Sequence, residues 1–195
     1  MCNILIVYGT AYGQTERIVQ RIASVLTDGG HRVTLERGDR LPPALALADY
    51  DGVLVAASIL YGRHQRYIRD FVRRHASALD VLPTAFVSVS GSAASPAPKA
   101  QAEVEAVVQR FLKETGWHPR LVRKFGGAMA YTRYGWLQRH IVRWVSRRRG
   151  GPADASRDYD FTDWNAVDRF AQELRVLWAP AIARRPDGTA VRQPG

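Results

Sequence analysis

The chain has 195 residues, of which 46% are hydrophobic and 24% charged, and its formal net charge is +10 at pH 7. This length and composition are typical of one globular domain, and no apolar run approaches the roughly 18 residues that a membrane-spanning helix needs. The single cysteine, Cys2, excludes an intramolecular disulfide and a cysteine-based metal site.

Buried strands alternate with amphipathic helices along the chain. The apolar patterns predict, in order, a strand over 3–8, a helix over 14–28, strands over 31–37 and 51–58, a helix over 65–78, a strand over 84–90, a helix over about 100–115, a weaker strand over 121–130 and a last helix from about 164. This alternation predicts an α/β fold, a doubly wound parallel sheet of five strands in the order 2-1-3-4-5. We expect one domain over 1–178, with a basic insertion over 131–160, and a disordered tail over 179–195.

A phosphate-binding turn is predicted where the first strand ends. In a doubly wound sheet, ligands bind beyond the carboxyl ends of the strands, and a helix N-terminus there offers N–H donors to an anion. The residues expected to cradle one phosphate monoester are Thr10, Ala11, Tyr12, Gly13, Gln14 and Thr15. The alternative is a plain strand-to-helix turn in which Thr10 or Thr15 only caps the helix.

Two other phosphate-binding loops are excluded at this turn. It has no lysine, which the nucleotide-binding P-loop requires, and its glycines, Gly9 and Gly13, do not have the G-x-G-x-x-G spacing of dinucleotide-binding folds. The histidines show no metal-ligand spacing, so no metal site is predicted. His64 is interpreted as a rim residue rather than a catalytic base.

The motifs after three strands resemble those of a known family. Thr10-x-Tyr12-Gly13-x-Thr15 resembles the FMN-phosphate loop of flavodoxins, and "SILYGRH" (58–64) and "SVSGSAA" (88–94) stand where flavodoxins place their two flavin-ring loops. More specifically, "ASILYGRH", "TRYGWLQR" and "GGPADASRDYDFTDW" resemble the flavodoxin-like, menaquinone-dependent protoporphyrinogen oxidases. The resemblance extends over residues 3–178.

This resemblance implies that the chain binds FMN rather than FAD. Tyr61 is expected to stack on the isoalloxazine ring, and Gly62 to let the backbone approach flavin N5. The residues expected around the ring are Ser58, Ile59, Leu60, Tyr61, Gly62, Ser88, Val89, Ser90, Gly91 and Ser92. The alternatives are a half-buried loop tyrosine, a turn glycine and a polar loop that caps a strand. No catalytic side chain is predicted, because flavin N5 carries the chemistry.

The positive charge is concentrated in one acid-free segment. Between Thr115 and Ala153 there is no Asp or Glu and there are nine Lys or Arg residues, which leaves 28 − 9 = 19 basic against 18 acidic residues elsewhere. Within 131–149 the apolar residues follow helical spacing, which predicts an amphipathic helix on an anionic membrane surface. The residues expected to dock the membrane or the substrate are Arg133, Trp136, Arg139, Arg143, Trp144, Arg147, Arg148 and Arg149. The alternative is a helix packed on the domain with a solvated basic face.

Two functions of different classes are therefore predicted. The first is an FMN enzyme of haem biosynthesis that oxidises protoporphyrinogen IX and reduces a membrane quinone, held peripherally on the inner face of the cell membrane. The second is a flavodoxin-type electron carrier that docks an acidic redox partner. An NAD(P)H-quinone reductase is a weaker third hypothesis. No nucleic-acid partner is expected, because no nucleic-acid-binding motif accompanies the charge. The free thiol and the absence of a signal-peptide pattern favour the cytoplasm.

Overall fold

Five parallel strands form the central sheet, with helices on both of its faces. The computed structural model describes residues 1–129 and 159–183. The strands are β1 (Asn3–Gly9), β2 (Arg32–Arg37), β3 (Gly52–Leu60), β4 (Arg63–His64), β5 (Thr84–Ser90), β6 (Leu121–Gly126), β7 (Ala128–Met129) and β8 (Tyr159–Asp160). The helices are α1 (Gln14–Asp28), α2 (Arg66–Val81), α3 (Pro98–Thr115) and the C-terminal helix (Trp164–Ala183).

The order of the sheet is β2-β1-β3-β5-β6, and all four of these pairings are parallel. In sequence order of the main strands this is 2-1-3-4-5, so the predicted fold class and strand order are confirmed. The short β4 adds to β3 in an antiparallel pairing that the sequence patterns did not predict. The sheet reverses direction of winding between β1 and β3, which is where ligands bind in this architecture.

The sheet separates two apolar cores. On one face, α1 and the C-terminal helix bury Ile18, Phe170 and Trp178 against the strands. On the other face, α2 and α3 bury Phe71 and Phe111 in the same way. Each large apolar side chain that is fully buried contributes about 1.5–3 kcal/mol, so the two cores hold the sheet edge that carries the loops in a fixed geometry.

The weak strand predicted over 121–130 is two strands in two different sheets. β6 ends at Gly126, and the N–H of the next residue still bonds to β5, at the Ser90 carbonyl 2.9 Å away. β7 then pairs with β8 in a separate two-stranded antiparallel sheet, with Met129 opposite Tyr159. The two glycines at 126–127 permit this break, because glycine favours a local change of backbone direction.

The C-terminal helix begins at Trp164, as predicted, and continues to Ala183. It thus extends into the segment 179–195 that the sequence predicted as a tail. Among the residues that the structure describes, no helix is both long and apolar enough to span a bilayer.

Candidate functional site

Three loops of the described chain meet at the carboxyl edge of the sheet. The parallel register places Gly9 of β1 opposite Ala57 of β3, and Ser58 of β3 opposite Val89 of β5. The loops that leave these three strands are therefore neighbours. They are the turn 10–13, the hairpin 61–62 and the short 3₁₀ turn Gly91–Ala94. These are the three loops that the sequence predicted as one site.

The first loop is a tight turn that ends at the start of α1. Gly13 has φ 93°, in the left-handed region that favours glycine, and α1 begins after it without a side-chain cap. The Thr10 hydroxyl accepts the Gly13 N–H at 2.8 Å, and the Ser58 hydroxyl accepts the Ala11 N–H at 3.2 Å. Thr10 therefore closes the turn, and the positive end of the α1 dipole lies directly behind it.

Thr15 carries an unusual hydroxyl for a residue in a helix. The residue is 0% exposed, and its Oγ1 has no hydrogen-bond partner among residues 1–129 and 159–183. A buried hydroxyl without a partner is destabilising, and such groups are rare in folded proteins. Since Thr15 lies in the first turn of α1, beside uncapped N–H groups, the arrangement is one that an anion would complete. The alternative role, in which Thr15 caps the helix, does not match the structure.

The second loop is a two-residue β-hairpin. Leu60 pairs with Arg63 across it, and the two turn residues, Tyr61 and Gly62, have φ values of 50° and 72°. Two consecutive left-handed residues define a type I′ turn, which matches the twist of the flanking strands. Tyr61 is 75% exposed at the tip of the hairpin. Burial, and then the nearby Tyr61, raise the pKa of Tyr12. The hairpin therefore presents an aromatic side chain to solvent beside the turn 10–13.

His64 fastens this hairpin to the core. Its ring is 8% exposed and lies edge-on to Phe86 and Phe111, with centroids 5.2 and 4.9 Å away. Its Nε2 is 3.0 Å from the Ser88 hydroxyl, and burial lowers its pKa to about 4. His64 is thus a neutral core residue at pH 7, and its interpretation as a rim residue was wrong. The "Tyr-Gly" pair lacks the Asn-Gly signature of a type I′ turn, so the sequence carried no clear signal of this anchor.

The third loop uses some of its predicted residues for the fold itself. Ser88 is 0% exposed and bonded to His64, and the Val89 side chain is 2% exposed in the core. The Ser90 hydroxyl accepts the Ala93 N–H at 3.2 Å and so closes the turn that follows. The side chains of Ser88 and Val89 are therefore used by the fold, and only the backbone atoms of these two predicted ring-binding residues are left to contact a ligand.

A clamp of polar side chains joins α1 to β8 and to the residues that follow it. The Gln14 side-chain amide donates to Asp160 at 2.9 Å and to Thr162 at 2.7 Å, and the Thr162 hydroxyl donates to the Gly126 carbonyl at 2.9 Å. Burial alone raises the pKa of Asp160, but hydrogen bonds from Thr162 and Gln14 and the charge of Arg17 bring it below its usual range. The Gln14 side chain, predicted to contact a ligand, is therefore part of this clamp.

The predicted docking residues of the basic segment lie outside the described residues. They are Arg133, Trp136, Arg139, Arg143, Trp144, Arg147, Arg148 and Arg149.

Comparison with known proteins shows which families this chain is similar to. A family model described as "Flavodoxin domain" matches residues 5–156. The chain is 34% identical over 194 residues to the protoporphyrinogen IX dehydrogenase [quinone] of Leishmania major, covering 97% of this chain and 81% of that protein. It is 32% identical over 173 residues to the protein of the same name from Escherichia coli K12, covering 89% and 94% of the two chains.

Solved structures show the same fold at lower identity. Oxidised flavodoxin 1 from Bacillus cereus matches with a TM-score of 0.52 and 15% identity, covering 91% of this chain and 97% of the flavodoxin. At this identity the match supports the fold alone.

Proposed function

This chain belongs to the flavodoxin domain family, and from that premise we propose that it is an FMN-dependent oxidoreductase. It oxidises protoporphyrinogen IX to protoporphyrin IX and passes the electrons to a membrane quinone. Two relatives that are 32–34% identical over most of the chain are named for a quinone-dependent reaction of this substrate. The reaction belongs to haem biosynthesis.

The observation that best supports FMN as the cofactor is the buried Thr15 hydroxyl, which has no hydrogen-bond partner among the described residues. The hydroxyl lies in the first turn of α1, two residues after the left-handed Gly13, and the turn before the helix is closed by Thr10. FMN ends in one phosphate monoester, so the donors present fit it. Tyr61, exposed on the neighbouring hairpin, offers an aromatic face to the flavin ring.

The residues of the chain would bind and orient the cofactor. The turn 10–15 would bind the phosphate, and the hairpin anchored by His64 would hold Tyr61 against the ring. The chemistry that FMN supplies when bound is acceptance of a hydride and its transfer onward as electrons.

Anaerobic mixing of the purified flavin-loaded protein with protoporphyrinogen IX tests the proposal. We expect loss of the oxidised flavin absorbance together with the appearance of porphyrin fluorescence, and continued turnover when a quinone is added. The released flavin should have the mass of FMN. Mixing with NADH or NADPH in place of the porphyrinogen serves as the control for a quinone reductase.

Two results would contradict the proposal. The first is a flavin that stays oxidised in the presence of protoporphyrinogen IX but is reduced by another redox protein, which would favour an electron carrier. The second is recovery of FAD, or of no flavin after reconstitution.

Replacing Tyr61 by asparagine is expected to change the flavin spectrum and to weaken FMN binding by about 0.5–1.5 kcal/mol, the range found for aromatic pairs. Asparagine tolerates the left-handed backbone at φ 50°, so the hairpin should persist. The free energy of unfolding should change by less than about 0.5 kcal/mol, because the side chain is exposed. Flavin absorbance and fluorescence titration measure the first effect, and urea unfolding the second.

Val81→Ala is the matched control for Tyr61→Asn, since Val81 is 78% exposed and lies at the end of α2. It should leave both the spectrum and the affinity unchanged. An unaltered flavin spectrum in Tyr61→Asn would mean that the ring does not stack on Tyr61.

We also propose that the acid-free segment holds the protein on an anionic membrane surface, where the quinone is dissolved. The support is the sequence alone, in which nine basic residues and no acidic one lie between Thr115 and Ala153. Each basic residue near such a surface contributes on the order of 1 kcal/mol.

Changing Arg143, Arg147, Arg148 and Arg149 to glutamate is expected to release the protein from anionic liposomes at low salt, as measured by co-sedimentation, while FMN stays bound. The control changes the same number of exposed arginines outside the acid-free segment, namely Arg32, Arg40, Arg73 and Arg74, to glutamate. The total charge is then equal in both variants. If both are released equally, or if the wild-type protein does not bind, the segment is not a membrane anchor.

A further inference from the structure

A small cleft lies beside the hairpin, on the face of the sheet that α2 and α3 cover. We call it the hairpin-side cleft, and the residues that matter in it are Arg63, His64, Arg69, Arg110, Phe111 and Glu114. Its volume is about 20 Å³, which is room for one small group rather than for a whole ligand. Gly62, which follows Tyr61 in the hairpin turn, also lines the cleft, so the cleft adjoins the hairpin of the proposed flavin site.

The charge of the cleft favours an anion. Three structural elements each bring one arginine to it: Arg63 from β4, Arg69 from α2 and Arg110 from α3. The carboxylate of Glu114, which is 3.4 Å from Arg69, offsets one of these charges. Three positive charges against one negative charge leave an excess of two. Charges that converge from separate elements are less easily explained as the solvated face of a single helix.

Two buried nitrogen atoms of residues that line the cleft lack a hydrogen-bond partner. Within the described part of the chain, neither His64 Nδ1 nor Arg69 Nε has a hydrogen-bond partner. His64 is 8% exposed, and its other nitrogen is engaged with Ser88. A neutral imidazole whose Nε2 accepts the Ser88 hydroxyl proton carries its own proton on Nδ1, where a ligand oxygen is the natural acceptor. Buried polar groups without a partner are uncommon in folded proteins, and a ligand oxygen would pair with both of these nitrogens.

We propose that the hairpin-side cleft binds one carboxylate of the substrate, held by Arg63, Arg69 and Arg110 with His64 at its base. This inference rests on the proposed function, since a tetrapyrrole with propionate side chains brings carboxylates next to the flavin. The guanidinium fork matches the two oxygens of a carboxylate. The small volume selects an end group, and the macrocycle stays outside against the hairpin.

Binding of the product to the FMN-loaded protein tests this inference. The probes are protoporphyrin IX, which is a dicarboxylic acid, and its dimethyl ester, and the readout is quenching of the porphyrin or protein fluorescence. Arg110→Glu is expected to weaken binding of the diacid about 10- to 100-fold, as for a lost charged hydrogen bond. Lys113→Glu is the matched control, because Lys113 is exposed on the same helix and lies outside the cleft. It should change the affinity less than about twofold.

The ester separates carboxylate recognition from contacts of the macrocycle. We expect the wild-type protein to bind the diester about 10- to 100-fold more weakly than the diacid, and Arg110→Glu to bind both alike. In turnover, Arg110→Glu should raise KM and leave kcat nearly unchanged, since the cleft holds a part of the substrate that does not react. Equal affinities of Arg110→Glu and Lys113→Glu for the diacid would overturn the inference.

Failure of this inference is distinguishable from failure of the proposed function. If the wild-type protein oxidises protoporphyrinogen IX and Arg110→Glu does not change KM, the proposed function holds and the carboxylate site in the cleft is wrong. If the wild-type protein does not oxidise protoporphyrinogen IX but binds the diacid in a manner that depends on Arg110, the carboxylate site holds and the proposed reaction is wrong.

Discussion

Replacing Thr15 by valine is expected to weaken FMN binding about 10- to 150-fold, because a hydrogen bond to a charged group contributes about 1.5–3 kcal/mol. The same substitution should leave the FMN-free protein as stable as before, or more stable. Thr15 is 0% exposed and its hydroxyl has no partner among the described residues, so valine keeps the shape of the side chain and removes an unsatisfied polar group. Affinity and stability are therefore expected to change independently.

Thr115→Val is the matched control for Thr15→Val. Thr115 is also buried in a helix, but its hydroxyl donates to the Phe111 carbonyl at 2.9 Å. Valine at this position should lower the free energy of unfolding by about 1 kcal/mol and leave FMN affinity unchanged. Flavin fluorescence titration measures the affinity, and urea unfolding of the FMN-free protein measures stability. If Thr15→Val destabilises the FMN-free protein as Thr115→Val does, or binds FMN as the wild type does, the Thr15 hydroxyl is not a phosphate ligand.

Acid is expected to destabilise the protein by up to about 3 kcal/mol through His64 alone, between pH 6.5 and pH 4. Burial lowers the pKa of His64 from 6.5 to about 4 in the folded state. Between these two values the unfolded chain binds a proton at this residue and the folded chain does not. The free energy of unfolding therefore falls as the pH drops through this window, and the contribution becomes constant below pH 4.

Substitution of His64 isolates this effect. His64→Gln removes the titrating group but retains one that can hydrogen-bond to Ser88. Its free energy of unfolding at pH 7 should be lower than that of the wild type, because the ring contacts with Phe86 and Phe111 are lost. Between pH 6.5 and pH 4, its free energy of unfolding should fall less steeply than that of the wild type. His75→Gln is the control, because His75 also has a lowered pKa, from burial and then Arg74, but is only partly buried. Urea unfolding at several pH values measures the slopes. Equal slopes in His64→Gln and the wild type would show that His64 is not buried in its neutral form.

The sequence predicted the parts of the fold that depend on local patterns. Helix α1 spans Gln14–Asp28, which is the range predicted. Ile18, Ile22 and Leu26 recur on one face of it, and Gly13, directly before the helix, adopts the left-handed conformation that glycine favours. The strand order follows from the alternation of strands and helices, and the family resemblance is confirmed by the match to the flavodoxin domain model. The turn 10–15 was recognisable because the residues that could bind the phosphate are contiguous.

Features that depend on distant contacts were not predictable in the same way. The clamp of Gln14 joins residues that are 146 and 148 positions apart, and no local pattern records such a pair. The role of His64 depends on Phe86, Phe111 and Ser88, which come from two other elements. The sequence could place His64 after a strand, but it could not show that a tight hairpin returns its ring to the core.

The pairing of β7 with β8 has a consequence for how this protein can change during evolution. Ala128 lies opposite Asp160, and the Thr162 hydroxyl donates to the Gly126 carbonyl, so the chain positions on either side of the segment 130–158 are held next to each other. Substitutions, insertions or deletions between these two strands therefore need not move the sheet or the turn 10–15. Selection can therefore change the sequence and the length of this segment while the flavodoxin framework on either side of it is inherited intact.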